Sequence, residues 1–191
     1  MVQAVSRETE NKLAQYVACL RRWNPTINLM SDQDLAKVWS RHIPDGLAIA
    51  ALLAEIPGAM ADLGSGGGIP GLVASIVTGR AITLIESDRR KAAFLVEAVR
   101  MTGASAVVRS VRVEQSGVTG LAMVSARALA PLSRLLDLSL PMLGPGGCGL
   151  FVKGADTDIE VRDARRRYQF TVTRHQVQNS IILQVSDIAA L

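Results

Sequence analysis

The chain has 191 residues, of which 49% are hydrophobic and 20% are charged. This composition suits a single globular domain and excludes an intrinsically disordered protein. Residues 1–8 lack the pattern of a signal peptide, and no run of about 18 apolar residues could span a membrane, so we predict a cytoplasmic protein. Two cysteines and two histidines, in no metal-ligand spacing, argue against a metal site. The net charge of +4 fits a polyanionic partner but is equally compatible with ordinary solubilising charge.

Residues 1–57 are predicted to form a helical extension, because apolar residues recur there at helical spacing between capping residues and prolines. The residue before a proline is disfavoured in a helix, so the Asn24-Pro25 pair predicts the end of the first helix. The predicted helices run from Leu13 to Asn24, from Ser31 or Asp32 to Trp39, and from Asp45 to Leu53.

Residues 58–191 are predicted to form an α/β core, which completes a single domain over 1–191. Near-continuous apolar strands alternate with helical segments, and this pattern indicates a mostly parallel sheet with helices on both faces. The last two strands are joined too tightly for a helix, so they predict a C-terminal antiparallel hairpin. The predicted strands are 59–63, 81–86, 106–108, 121–125, 147–152, 170–173 and 181–185, and the predicted helices are 72–77, 88–103, 132–142 and 156–167.

A glycine-rich segment, Asp62 to Gly71, lies between the first strand of this core and the next helix. Glycine permits positive φ and lets a ligand approach the backbone closely. Open α/β sheets bind cofactors in the crevice at the carboxyl ends of their strands, which is where Asp62 lies. Five glycines between positions 64 and 71 exceed what an ordinary strand-to-helix turn needs.

The glycines fit two cofactor fingerprints in two registers. Gly66, Gly68 and Gly71 match the dinucleotide pattern G-x-G-x-x-G, whereas Gly64, Gly66 and Gly68 match the G-x-G-x-G of methyltransferases. Glu86, which ends the second strand of the core, could accept hydrogen bonds from both hydroxyls of a ribose. Nicotinamide cofactors and S-adenosylmethionine share that ribose, so Glu86 does not choose between them. A solvated charge at a strand end is the alternative for Glu86.

The predicted architecture favours a methyltransferase. A nicotinamide enzyme normally needs a second region with acid–base residues, and we expect none here, because only short helices precede the sheet and the hairpin comes last. A mostly parallel sheet with a terminal antiparallel pair is the arrangement of the class I, Rossmann-like methyltransferases.

Several segments between roughly positions 16 and 154 carry a more specific resemblance. They are Trp23-Asn24, Ile27-Asn28-Leu29, Arg41-His42-Ile43 with Asp45, the glycine-rich segment ending Ile69-Pro70-Gly71, Lys91 with Phe94-Leu95, Arg112-Val113-Glu114, Ala126-Arg127-Ala128, and Lys153-Gly154. In this order they resemble the bacterial 16S rRNA (guanine-N7) methyltransferase G family, also called the glucose-inhibited division protein B family. The hairpin resembles that family only in pattern. Gly46 replaces the serine that the family usually has, so no role for a hydroxyl is assigned there.

The resemblance implies S-adenosylmethionine as the cofactor. Gly64 and Ile69 would contact it, Val113 and Glu114 would flank its adenine, and Arg127 would lie at the cofactor or the target base. Together with the loop and strand-end residues, the predicted cofactor set is Asp62, Gly64, Ser65, Gly66, Gly68, Ile69, Glu86, Val113, Glu114 and Arg127.

Basic residues supply the predicted substrate site, which comprises Arg41, His42, Arg127 and Lys153. They would meet RNA phosphate or the guanine. The alternative for Arg127 is a surface ion pair, and for His42 alone a buried helix histidine with satisfied hydrogen bonds. The Arg165-Arg166-Arg167 run is predicted to be a solvated helix face rather than a specific contact.

The implied reaction needs little acid–base chemistry. Guanine N7 carries a lone pair and no proton, so alignment of the reacting atoms is the main task and no catalytic residue is assigned. The methylated base is positively charged, so an acidic or carbonyl-lined environment would favour it. The expected partner is 16S rRNA or the small ribosomal subunit, bound by a monomer. The alternatives are a methyltransferase acting on a small molecule or protein, a nicotinamide-dependent oxidoreductase, and a non-catalytic RNA-binding or ribosome-assembly protein.

Overall fold

The computed structural model describes residues 5–154 and 156–191, so the predicted lack of a signal peptide over 1–8 lies partly outside the described residues. The helical extension contains α1 (Arg7–Ile27), α2 (Asp32–Ala36), a π-helical turn (Val38–His42) and α3 (Ile43–Glu55). The core that follows contains β1 (Met60–Leu63), α4 (Gly71–Thr78), β2 (Ile82–Ile85), α5 (Arg89–Thr102), β3 (Val107–Arg109), a 3₁₀ turn (Val113–Gln115), β4 (Leu121–Arg127), α6 (Leu132–Ser139), β5 (Leu143–Lys153), α7 (Thr157–Ala164), β6 (Tyr168–Val177) and β7 (Ser180–Ala190).

The strands of the described chain form one seven-stranded sheet in the order β3-β2-β1-β4-β5-β7-β6. The pairs from β3 to β5 are parallel, whereas β7 pairs antiparallel with both β5 and β6. The predicted parallel sheet with a C-terminal antiparallel hairpin is therefore confirmed. Because β1 and β4 are neighbours, the segments that follow them meet at the same edge of the sheet.

Hydrophobic clusters cover both faces of the sheet, as predicted. One face packs against α1, α3, α4 and α5, through side chains such as Tyr16, Ile49 and Phe94. The other packs against α6 and α7, through side chains such as Leu135 and Val161. Burying a large apolar side chain contributes about 1.5–3 kcal/mol. The extension therefore shares a core with the sheet, and α1 lies close to the glycine-rich loop.

The prediction that Asn24-Pro25 ends the first helix is wrong, because α1 continues to Ile27 with Pro25 inside its last turn. The Asn24 side chain holds this turn in place. Its amide donates to the Met30 carbonyl at 3.0 Å, and its Oδ1 accepts from the Met30 N–H at 2.9 Å. Asn28, with a φ of 50°, then closes the helix by donating to the Asn24 carbonyl. These bonds offset the backbone restriction that proline imposes.

Other boundaries also differ from the prediction: α1 starts at Arg7, α2 ends at Ala36 before the π-helical turn, α6 ends at Ser139, and β6 and β7 extend beyond 170–173 and 181–185. Strand β5 starts earlier, at Leu143, which pairs with Leu121 before a register shift in the β4–β5 ladder. Helix α7 ends at Ala164, so Arg165, Arg166 and Arg167 lie beyond it and not on a helix face. Within the described part of the chain, no helix combines the length and the hydropathy needed to cross a bilayer.

Candidate active site

The glycine-rich loop links β1 to α4 at the carboxyl edge of the sheet. Gly64, Gly66 and Gly68 have φ values of 64°, 50° and 88°, a region that side-chain-bearing residues rarely adopt. A Cβ at Gly64 would lie 2.7 Å from Cδ1 of Leu129, so the loop touches the segment that follows β4. The loop conformation favours glycine at position 64, and a side chain there would have to displace the end of Leu129.

Asp62 lies beneath the loop and is 1% exposed. Its Oδ1 accepts a hydrogen bond from the Ser125 hydroxyl at 2.5 Å, and its buried Oδ2 has no hydrogen-bond partner among the described residues. A Cβ at Gly71 would lie 2.4 Å from the Asp62 Cβ, so α4 begins directly against this side chain. Burial raises the pKa of Asp62 to about 6. Asp62 therefore supports the loop from beneath, against the start of α4, and does not line either of the two cavities described below.

Glu86 fixes the loop to the start of α5. Its Oε2 accepts from the Gly66 N–H at 2.8 Å, and its Oε1 accepts from the Asp88 N–H at 2.8 Å. The side chain is buried, unlike the solvated strand-end charge considered as its alternative. Each carboxylate oxygen keeps a second lone pair that a ribose hydroxyl could use. Ser65 is also buried, and its hydroxyl donates to the Asp62 carbonyl at 3.0 Å.

A cavity of about 320 Å³ opens beside the loop. Gly64, Ile85, Val113 and Glu114 contribute to its walls, together with Leu129. Gly64, the first glycine of the methyltransferase fingerprint, therefore faces the same space as Val113 and Glu114, the two residues expected to flank adenine. Its volume is within the range of pockets that bind small molecules and cofactors.

A second cavity, of about 430 Å³, lies on the other side of Leu129 and Ala130, which line both spaces. Its other walls include Arg41, Asp45, Arg127, Lys153, Glu160 and Ser180. The residues from Ala128 to Pro131 thus form a partition between the two cavities. Ala128 at its start has a φ of 52°, which turns the chain sharply at the end of β4.

Arg127 is held from two sides at the end of β4. Its Nε lies 3.3 Å from Oδ2 of Asp45, and its Nη2 donates to Nδ1 of His42. The Ser180 hydroxyl donates to the other Asp45 oxygen at 2.5 Å. Burial raises the pKa of Asp45 and lowers that of Arg127, and the ion pair between them opposes both shifts. The side chain of Arg127 remains 21% exposed and lines the second cavity, so it is not a surface ion pair.

Lys153 binds the partition from the end of β5. Its Nζ donates to the Ala130 carbonyl at 2.8 Å and lies 2.6 Å from Oε2 of Glu160, which also accepts from the Leu132 N–H at 2.7 Å. The Lys153 side chain is only 8% exposed. Two of its three N–H donors are therefore used to hold the partition against α7.

Comparison with known proteins agrees with this geometry. The family model described as rRNA small subunit methyltransferase G matches residues 9–185. The protein of that name from Granulibacter bethesdensis is 43% identical over 189 residues, which cover 97% of this chain and 88% of the relative. The one from Rhodospirillum centenum is 46% identical over 188 residues, covering 97% and 87%. This chain belongs to the rRNA small subunit methyltransferase G family. Membership in this family favours the methyltransferase fingerprint G-x-G-x-G over the dinucleotide fingerprint G-x-G-x-x-G, both of which the glycines match.

Solved structures show the same fold as this member of the methyltransferase G family. The ribosomal protein L11 methylase from Lactobacillus delbrueckii matches with a TM-score of 0.60 and 17% identity over 74% of this chain and 75% of that one. TYW2 from M. jannaschii, solved in complex with AdoMet, matches with a TM-score of 0.60 and 11% identity over 83% and 81%. The class I, Rossmann-like methyltransferase fold is therefore confirmed.

The predicted site residues of this methyltransferase G family member fall into three groups. Those that line the first cavity are Gly64, Val113 and Glu114, and those that line the second are Arg41, Arg127 and Lys153. Those that build the loop and its supports are Asp62, Ser65, Gly66, Gly68, Ile69 and Glu86. His42 lies behind Arg127 and is 1% exposed. Ile69 packs into the hydrophobic cluster on the α1 side of the sheet.

Four residues that shape the site were not predicted as site residues. Asp45 belongs to the Arg-His segment and Leu129 follows the Ala-Arg-Ala segment, so sequence position alone could have suggested them. The other two residues are Tyr16, whose hydroxyl donates to the Gly67 carbonyl in the loop, and Glu160, which accepts from the Leu132 N–H. Neither could be recognised from neighbouring residues, because these partners are distant in the sequence. The described residues contain no cluster of His, Cys, Asp or Glu that could hold a metal ion.

The arginine run after α7 is partly neutralised. Arg167 forms a salt bridge with Asp137 at 2.9 Å, and Arg166 lies 3.7 Å from Asp163. The guanidinium of Arg165 lies over the ring of Phe170 at 5.4 Å. The run is exposed beyond the end of α7, and its lack of a specific RNA contact stays a prediction.

Proposed function

We propose that this chain transfers a methyl group from S-adenosylmethionine to N7 of a guanine in 16S rRNA. The observation that carries the proposal is the pair of cavities that meet across Leu129 and Ala130. One lies on the glycine-rich loop, and the other is lined by basic residues. Family membership and the names of the relatives support a small-subunit rRNA as the substrate.

The first cavity would hold the cofactor. The positive-φ glycines give the loop the conformation in which Gly64 lines this cavity, and Asp62 supports the loop from beneath. Gly64 and Val113-Glu114 would contact the cofactor, while Glu86 keeps the loop in the conformation that the cavity needs. When bound, S-adenosylmethionine supplies a methyl carbon that a sulfonium makes electrophilic.

The second cavity would hold the base. Guanine presents O6 next to N7 on the same edge, so Arg127 can donate to O6 while N7 stays free to react. The carboxylates of Asp45 and Glu160 also line this cavity, paired with Arg127 and Lys153 respectively, so the charges that surround the base are held in place by ion pairs. No group in this arrangement needs to remove a proton, because N7 has none. The residues around the base therefore act by orientation and by charge.

The target must also be accessible to this cavity. A guanine in an exposed loop, or one swung out of its stack, could enter it, whereas a base inside an A-form helix could not. Arg41, whose side chain is 50% exposed at the rim, would contact the phosphate backbone. We further propose that the protein acts as a monomer in the cytoplasm, on 16S rRNA or the small subunit.

A methylation assay tests the proposal. Purified protein is incubated with radiolabelled S-adenosylmethionine and with 30S particles, naked 16S rRNA or a mixture of small metabolites. We expect label in 16S rRNA, released as N7-methylguanine, and an Arg127→Ala variant that remains folded should give none. Label in a metabolite or protein would contradict the rRNA assignment. Calorimetric binding of a nicotinamide cofactor, without binding of S-adenosylmethionine, would contradict the reaction itself.

A further inference from the structure

We propose that His42 is a positioning residue whose Nδ1 holds the guanidinium of Arg127 toward the second cavity. The proposal rests on the proposed function, because it gives His42 a part in the same reaction. It differs from the expectation that His42 contacts RNA directly. The ring is 1% exposed and lies on the protein side of Arg127.

The contacts of His42 define a single tautomer. A guanidinium can only donate hydrogen bonds, so Nδ1 of His42 must accept the bond from Nη2 of Arg127. A carboxylate can only accept, so Nε2 must carry the proton that it donates to Oδ1 of Asp34, at 3.1 Å. The ring is therefore neutral when both bonds are present.

These bonds leave part of Arg127 free. Its Nε faces Asp45 and one Nη2 hydrogen faces His42, while no described residue accepts from Nη1. Because Arg127 lines the second cavity, its remaining donors are available to a ligand there. A planar group anchored at two points keeps its third side in a fixed direction. His42 and Asp45 thus determine where the free donors of Arg127 point.

Protonation of His42 would break this arrangement. The charged groups around the ring are Asp34 on α2, Arg41 in the π-helical turn, Asp45 on α3 and Arg127 on β4. Burial and the charge of Arg127 lower the pKa of His42, although Asp34 opposes the shift. A protonated Nδ1 would place one donor against another and bring two cations into contact. The positioning of Arg127 should therefore fail as the pH falls below the range in which His42 is neutral.

The first test measures the tautomer without any cofactor or RNA. The chain has two histidines, so a His175→Gln variant leaves His42 as the single ¹⁵N-labelled imidazole. At pH 7.5 we expect NMR shifts of an unprotonated Nδ1 and a protonated Nε2, and a titration whose midpoint lies below about 6.5, the ordinary pKa of histidine. A ring protonated on Nδ1, or on both nitrogens, at that pH would overturn the proposal.

The second test compares variants in the rRNA methylation assay. His42→Ala should lower kcat by about 10²-fold, the order of loss that misplacing a reacting group can cause, with the KM for RNA little changed. His42→Asn places an amide oxygen near the position of Nδ1 and should recover part of that kcat. It should also lose the acidic limb of the wild-type pH profile. Arg41→Gln, the matched exposed neighbour, should raise the KM for RNA and keep that limb.

The outcomes separate the two proposals. Equal kcat for the folded Asn and Ala variants, or an unchanged acidic limb in His42→Asn, would overturn the role of His42. Wild-type protein that methylates no rRNA would contradict the proposed function, and the tautomer measured by NMR would still decide whether His42 holds Arg127.

Discussion

The Tyr16 hydroxyl on α1 donates a hydrogen bond of 2.5 Å to the carbonyl of Gly67 in the glycine-rich loop, although 51 residues separate the two in the sequence. The side chain is fully buried, and burial raises the pKa of Tyr16, so the hydroxyl keeps its proton. The helical extension therefore fixes the loop from one side while Glu86 fixes it from the other.

Tyr16→Phe should weaken cofactor binding. The variant leaves the Gly67 carbonyl without its donor, at a cost of about 1–3 kcal/mol, and frees the loop to move. Tyr168→Phe is the matched control, since it removes a hydroxyl that bonds Asp137 on the other face of the sheet from Tyr16. Urea unfolding should show destabilisation in both variants, and calorimetry should show weaker S-adenosylmethionine binding only in Tyr16→Phe. Equal affinities in the two variants would contradict the role of this bond.

Gly64→Ala should lose cofactor affinity beyond its cost in stability. Gly64 and Gly79 have φ values of 64° and 68°, so alanine at either should cost about 1–2 kcal/mol. A Cβ at Gly64 meets Leu129, whereas no atom of the described chain lies within 4 Å of one at Gly79. We expect both variants to be destabilised, Gly64→Ala by at least as much as Gly79→Ala because Leu129 must move, and we expect weaker binding only for Gly64→Ala. Gly64→Arg should remain folded and abolish methyl transfer, and normal activity on ribosomal subunits would contradict the loop assignment.

The sequence predicted the features that depend on neighbours along the chain. Apolar runs, caps and glycines located the sheet, the hairpin and the loop, because each arises from a local periodicity or a backbone preference. The support of the site arises differently. Tyr16 meets Gly67 across 51 residues, Arg127 meets His42 across 85, and Ser180 meets Asp45 across 135. No local pattern encodes such pairs, so the roles of Tyr16, His42 and Asp45 appeared only once the strands and helices were in place.

Asp62→Asn should change how stability depends on pH. The pKa of Asp62 rises to about 6 in the folded protein from 3.8, so the folded state binds more protons between these values and loses stability as the pH rises through them. With about 1.4 kcal/mol for each pKa unit, the ionised carboxylate costs about 3 kcal/mol near pH 7. Urea unfolding should therefore show that Asp62→Asn gains stability relative to wild type as the pH rises from 5 to about 6.5, with a constant difference from there to pH 8.

A control and a second readout accompany this prediction. Hydrogen bonds from the Arg90 and Lys91 amides lower the pKa of Asp88, so it is ionised throughout that pH range and Asp88→Asn should show no such trend. Asp62→Asn should also bind S-adenosylmethionine more weakly, because it replaces the carboxylate that accepts from Ser125 and packs against the start of α4 beneath the loop. A pH-independent difference between wild type and Asp62→Asn would contradict the raised pKa.

Glu160→Ala should destabilise the partition between the two cavities. It removes the acceptor of the Leu132 N–H and the charge partner of Lys153, at a cost of about 1–3 kcal/mol. Asp158→Ala on the same helix is the control. Its carboxylate is 90% exposed and pairs with Arg174, so its loss should cost less than about 1 kcal/mol in urea unfolding.

Lys153→Met then separates two roles for the lysine. If Lys153 mainly holds the partition, the variant should lose about as much stability as Glu160→Ala, and the double variant should lose much less than the two single losses combined. The KM for RNA should change little, because two of the three donors of Lys153 already bind Ala130 and Glu160. A raised KM with unchanged stability would show instead that Lys153 contacts the RNA, as the sequence first predicted.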